Sequence, residues 1–219
     1  MSKKKATEAA VFIIESMSTK NEAEKKFEGF ILQSVLNLLK NEDTKIESRY
    51  YYIRTKLELE HIIEEFHKSK YRYLHLSCHG SEDGKEIQLT YETIALDEFC
   101  RLLTLSGTME SKRLFMSSCF VTNEYFANIL IPRTNCSSII GTDKAFFIDE
   151  APLIWGTFYN KMFTMGEGMQ KGYITPILNK ISKLFDCNMT FFYRNTKQIG
   201  TIKEVVNGFD KKNPRRKRN

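Results

Sequence analysis

The amino-acid sequence predicts an α/β fold, a three-layer sandwich with a mostly parallel central sheet and helices on both faces. Three observations carry this. Short, nearly unbroken apolar runs recur at 11–15 (VFIIE), 71–78 (YRYLHLSC), 113–118 (RLFMSS) and 137–141 (SSIIG), the pattern of strands buried on both sides. Stretches with helical spacing of apolar residues lie between them. The crossovers of roughly 10 to 20 residues are of the length that joins parallel neighbours.

Taken in order, 11–15 is the first strand. A helix over 21–40 follows, with Phe27, Phe30, Ile31, Val35, Leu36, Leu38 and Leu39 at helical spacing and Asn21 with Glu24 resembling a capping box. The Tyr-rich stretch 46–53 reads as a strand. Thr55 and Glu58 form a second capping-box pattern, opening a helix to about His67 whose apolar face is Leu59, Ile62, Ile63 and Phe66. After the strand at 71–78, residues 87–96 read as a small hairpin turning near Glu92. A helix runs through Phe99, Leu102 and Leu103. The strand at 113–118 leads to a short helix from about Asn123, then the strand at 137–141. Two helices, 149–165 and 172–185, precede a last strand at 188–193 (NMTFFY). No internal repeat, low-complexity linker or composition shift appears before residue 209, so 1–209 reads as one domain and 210–219 as a basic, disordered tail.

The 219 residues suffice for a real core. Hydrophobic residues at 42% and charged residues at 27% exclude a collagen-like, disordered or disulfide-scaffold protein. The longest apolar run, 9–14, is far short of the ~18 residues a membrane span needs. Glu8 and Glu15 bracket it and no small-residue cleavage site follows, which argues against a signal peptide. Five unpatterned cysteines fit a reducing compartment, and the cytoplasm is the expected location. The net charge of +6 is local: 211–219 (KKNPRRKRN) hold six of the 33 basic residues, leaving 27 basic against 27 acidic elsewhere. Such a tail binds polyanions weakly.

In an open parallel sheet, ligands bind beyond the carboxyl ends of the strands, where strand order reverses. Two strand ends carry reactive side chains. The strand at 71–78 runs into Cys78, His79 and Gly80; that at 113–118 runs into Cys119. If the strands are neighbours, His79 and Cys119 share one crevice. An imidazole beside a thiol stabilises the thiolate and later protonates a leaving amine. Gly80, without a side chain, lets a substrate carbonyl approach, and its N–H with that of Cys119 would stabilise an oxyanion. Each half alone is ordinarily structural, the histidine a strand-end residue and the cysteine a small buried hydrophobe; the joint pattern is the specific signal. His61, His67 and His75 read as structural. Cys78, His79 and Cys119 lack the Cys-x-x-Cys spacing and fourth ligand of a zinc site, and phosphate-cradling or serine-hydrolase motifs are missing. No metal or cofactor is therefore called for.

The segments LHLSCHG (74–80) and LFMSSCF (114–120) resemble the paired His and Cys motifs of caspase-like cysteine peptidases, most nearly the bacterial CHAT proteases. The polar loop and hairpin at 81–96 and the strand and helix at 138–166 agree with that pattern, and the resemblance runs over about 11–193. It implies His79 as general acid/base, Cys119 as nucleophile, and the Gly80 and Cys119 amides as oxyanion hole. It also implies that Asp143, after the strand that follows the cysteine, favours Lys or Arg just before the scissile bond. Ser118 in place of the family's Ala, with bulky Phe120 and Val121 after the cysteine, departs from the pattern and points to a narrowed or closed site.

The expected function is thus a regulated cysteine endopeptidase of a protein substrate, of a type that often serves antiviral defence or cell death. A separate regulatory or sensor subunit is the expected partner, with 81–86 and 142–150 as movable loops. The rival readings are a catalytically silent caspase-like scaffold and, last, a nucleic-acid binder acting through 211–219.

Overall fold

The computed structural model describes residues 7–40, 44–164, 169–194 and 201–206. Strand β1 (Thr7–Glu15) leads through α1 (Thr19–Ala23) and α2 (Glu28–Leu38) to β2 (Thr44–Tyr52). Helix α3 (Lys56–Lys68) returns the chain to β3 (Tyr73–Ser77). Beyond it, β4 (His79–Gly80), β5 (Glu86–Gln88) and β6 (Thr93–Ala95) form a separate antiparallel sheet, and α4 (Leu96–Leu105) leads to β7 (Arg113–Ser117). Then come α5 (Glu124–Thr134), β8 (Ser138–Gly141), α6 (Ala151–Thr164), α7 (Lys171–Phe185), β9 (Met189–Arg194) and β10 (Thr201–Val206).

The main sheet has the order β10-β9-β8-β7-β3-β1-β2. The pairs from β2 through β8 are parallel; β9 runs against β8 and β10 against β9. From β1 the chain steps outward to β2, then returns to lay β3 on the other side of β1. Strand order therefore reverses between β1 and β3, and a crevice opens at their carboxyl ends.

Alternation within each strand builds two cores. Phe12, Ile14, Leu114 and Met116 face α3, α4 and α5, where Phe66, Phe99 and Phe126 are buried. Val11, Ile13 and Phe115 face α2, α6 and α7, where Trp155, Phe158 and Phe163 lie. The sandwich read from the sequence is present, and among the described residues no helix is long and apolar enough to cross a membrane.

Several expectations need correction. The single helix over 21–40 is two. Its N-cap is Ser18, whose hydroxyl accepts from the Asn21 N–H at 3.2 Å, so Asn21 with Glu24 is not a capping box. The chain turns at Lys25, which is left-handed at φ 56°, and α2 begins anew after Phe27. The strand over 71–78 stops at Ser77, because His79 and Gly80 pair with β5 instead. Strand β10 was not expected. The basic tail lies outside the described residues. By contrast, Thr55 and Glu58 do form the capping box, each bonding the other's backbone.

Candidate active site

Residue pairing sets the site. Strands β3 and β7 are adjacent and in register, Ser77 opposite Ser117, and the Cys78 N–H donates to the Ser117 carbonyl at 3.1 Å. His79 and Cys119 are each two residues past that last pair. Adjacent strands lie about 4.8 Å apart, so the two side chains emerge at one level of the sheet's rim. Both line a cleft of about 310 Å³, open to solvent, with Met17, Glu28, Phe146 and Ile148 among its walls. His79 and Cys119 are each half-buried.

Gly80 is fitted to the cysteine loop. A Cβ there would stand 2.1 Å from the Cys119 carbonyl oxygen and 2.5 Å from Val121 Cγ2. No residue but glycine allows this approach. Asn123 ties the loop further: its side chain caps α5 by accepting from the Phe126 N–H and donates to the carbonyls of Gly84 and Phe120. The 81–86 loop, read as movable, is thereby fastened at Gly84 to the turn after Cys119.

The thiol is engaged. Cys119 Sγ accepts from the Phe146 N–H at 3.1 Å and lies 3.4 Å from the Phe146 carbonyl oxygen, to which it donates. The segment after β8 runs alongside: the Phe120 N–H donates to the Lys144 carbonyl and the Thr122 N–H to the Thr142 carbonyl, both at 3.1 Å. Phe120 is held left-handed at φ 64°, a conformation unfavourable for a bulky side chain. Burial raises the Cys119 thiol above its ordinary value; the Phe146 N–H opposes this, and the Glu28 carboxylate adds to it. Burial lowers His79. Both shifts favour the neutral forms, a thiol and an imidazole, over an ion pair.

Beneath the cleft is a polar layer that the sequence did not announce. Glu28, 4% exposed, accepts from the Ser77 hydroxyl at 2.7 Å, and its other oxygen is 3.4 Å from His75 Nε2. His75 Nδ1 is 3.1 Å from the Tyr159 hydroxyl. Glu15 accepts from the Gly29 N–H at 2.8 Å and from the Tyr50 hydroxyl at 2.7 Å. The structural reading of His75 fits its place in this layer, and His67 Nε2 lies 2.8 Å from the Leu103 carbonyl on the far side of the sheet. Nothing in the spacing of Glu28 marks it as buried; its place on the first turn of α2 follows from the break at Lys25. Asp143 is half-buried in the loop after β8 and does not line the cleft holding Cys119.

Comparison with known proteins supports the architecture. No protein-family model matches the sequence, and no curated protein does. Among solved structures, the chain is similar to a secreted C11 cysteine protease of Bacteroides thetaiotaomicron, iotapain, with a TM-score of 0.60 at 10% identity over 86% of this chain and 67% of that one. The Drosophila initiator caspase Dronc matches at a TM-score of 0.45 and 14% identity, over 91% of this chain and 80% of that one. The chain thus shares the fold of that C11 cysteine protease, the mixed α/β sandwich expected from its strands. At these identities the likeness speaks to fold alone.

Proposed function

We propose that this chain is a cysteine endopeptidase of a protein substrate, akin to the CHAT proteases, with Cys119 as nucleophile and His79 as general acid/base. The observation that carries the reading is the close seating of Gly80 on the Cys119 carbonyl, which keeps His79 and Cys119 at one cleft beyond paired strands. In the proposed reaction the Cys119 Sγ–H proton passes to His79 and the sulfur attacks the peptide carbonyl. The N–H groups of Gly80 and Cys119 hold the oxyanion. His79 then gives its proton to the departing amine, and water releases the acyl group. Asp143, outside the cleft wall but in the segment whose Thr142 and Lys144 carbonyls bond the turn after Cys119, is the proposed source of a preference for Lys or Arg before the scissile bond.

The grip of the Phe146 backbone on the sulfur supports regulation: a cytoplasmic enzyme of low resting activity, raised when a separate sensor subunit draws the 142–150 segment aside. Antiviral defence or cell death is the setting proposed for such a switch. The same grip favours a second reading, a silent scaffold. Peptides differing in the residue before the scissile bond (Arg, Lys, Asp, Leu, Met) separate the two when incubated with the wild type and with Cys119→Ala, His79→Ala and Asp143→Ala. The peptidase reading expects cleavage by the wild type alone among the first three, and loss of basic preference in Asp143→Ala. Cleavage surviving in Cys119→Ala refutes it. A partner protein bound equally by wild type and Cys119→Ala, and cleaved by neither, identifies the scaffold.

A further inference from the structure

His79 divides two hollows. One side faces the Cys119 cleft; the other faces a groove of about 640 Å³ whose walls include Ser18, Thr19, Gln88, Thr90 and Glu92. Its Nε2 is 3.0 Å from Asn21 Nδ2, a contact spanning 58 residues of sequence. Asn21 is held in turn. Ser18 caps its backbone N–H, and the next residue, Glu22, pairs with the Arg54 guanidinium, whose Nε donates at 2.9 Å. The short helix α1 therefore presents a fixed amide to the outer nitrogen of the ring, leaving Nδ1 for proton exchange.

We propose that Asn21 is the positioning residue for His79, holding the imidazole through Nε2 in every protonation state the proposed peptidase reaction requires; this rests on the reading of Cys119 and His79 given above. The argument is one of donors and acceptors. A neutral ring protonated on Nδ1 offers Nε2 as an acceptor, which an amide N–H satisfies. Once Nδ1 is needed as a base, the ring proton sits on Nε2 and must be donated; the same amide, turned about its last bond, presents Oδ1 to accept it. The imidazolium formed on taking the Cys119 proton is served by Oδ1 as well. When Nδ1 passes that proton to the leaving amine, the Nε2–H bond to Oδ1 stays intact. A carboxylate would lock the cationic form, and an apolar side chain would hold no form. The other titratable groups around the ring are Cys78, Cys119 and Glu28 in the cleft and Tyr91 and Glu92 in the groove; none of them is within hydrogen-bonding distance of Nε2 among the described contacts.

The test uses the full chain with the imidazole nitrogens labelled with nitrogen-15. NMR reads the tautomer and titration of His79, and in parallel the pH dependence of iodoacetamide reaction at Cys119 is measured. Wild type is expected to carry its ring proton on Nδ1 at neutral pH. Asn21→Asp is expected to raise the His79 titration by about one unit or more, as a carboxylate contact does, and to speed alkylation at pH 7. Asn21→Ala is expected to mix the tautomers and lower kcat about tenfold with KM little changed. Asn21→Asp is close to isosteric and sits in a half-exposed helix, so it keeps the test open should Asn21→Ala fail to fold. An unchanged His79 titration in Asn21→Asp overturns the proposal. The two readings fail separately: a responsive His79 with no peptide cleaved leaves Asn21 in place and removes the peptidase, whereas cleavage with an indifferent His79 does the reverse.

Discussion

At the scale of single residues, access separates the five thiols. Cys78, Cys100, Cys136 and Cys187 are buried; desolvation pushes Cys78 and Cys100 up to about 12 and Cys136 to about 11. Cys119 alone is half-exposed. One equivalent of iodoacetamide label is therefore expected on Cys119, with none in Cys119→Ala, read by intact mass and peptide mapping. Because burial raises this thiol too, the rate should still be climbing above about pH 8.5, where an unperturbed thiol is half ionised. A plateau already reached at pH 6 would mean a preformed thiolate–imidazolium pair. Glycine offers a paired prediction. Gly80→Ala must push β4 off the cysteine loop, since its methyl has no room against the Cys119 carbonyl; cleavage should fall by more than about a hundredfold. Gly172→Ala, with nothing within 4 Å in α7, should instead stabilise by about 0.5–1 kcal/mol in denaturant unfolding. The meeting of His79, Gly80 and Cys119 at one rim was legible because these residues stand directly at apolar strand ends. The contacts of Asn21 and Glu28 were not, because they join residues far apart in the sequence.

Among the elements, the joint between β1 and α2 is sensitive to pH. Glu15 ends β1 buried and receives the Gly29 N–H on the first turn of α2 together with the Tyr50 hydroxyl. Desolvation dominates and lifts its carboxyl from 4.5 to about 7, with Glu28 adding to the rise. Between those values the unfolded chain has lost a proton that the folded chain keeps. This contribution to stability is therefore complete below about pH 4.5, declines as pH rises towards 7, and then stays flat. At about 1.4 kcal/mol per unit, it amounts to about 3 kcal/mol. Urea unfolding of Glu15→Gln should lack that share of the slope and be more stable than wild type at pH 8; an identical pH profile would remove Glu15 as its source. The same joint shows why parts of the chain were hard to read. The strands β3 and β7 and the helix α3 follow local rules, apolar runs and a capping box, and those rules sufficed. The break between α1 and α2 is made by Lys25 in a left-handed turn without glycine or proline, so no local punctuation marked it. Strand β10 exists by pairing with β9, which periodicity does not report.

At the scale of the molecule, one sheet serves two cores. Adjacent residues of β1 point opposite ways, Phe12 and Ile14 into one cluster and Val11 and Ile13 into the other, and Leu114, Phe115 and Met116 of β7 do the same. Neither helical layer can detach without exposing the sheet that the other layer needs. Phe126→Ala on one face and Phe158→Ala on the other, both fully buried, should each cost about 3–5 kcal/mol. Each should also lower one common unfolding transition rather than split it, although a chain of this length has room for intermediates. The candidate site provides an independent probe, because Cys119 leaves the end of β7, which feeds both clusters. In both variants, circular dichroism at the helix band and exposure of the four buried thiols should change at the same temperature. If Phe158→Ala instead released α6 and α7 first, with Phe146 and its hold on Cys119 lost while α3, α4 and α5 stayed folded, alkylation at Cys119 would accelerate well below the main transition. That outcome would show the layer bearing α6 and α7 to be a separate cooperative unit.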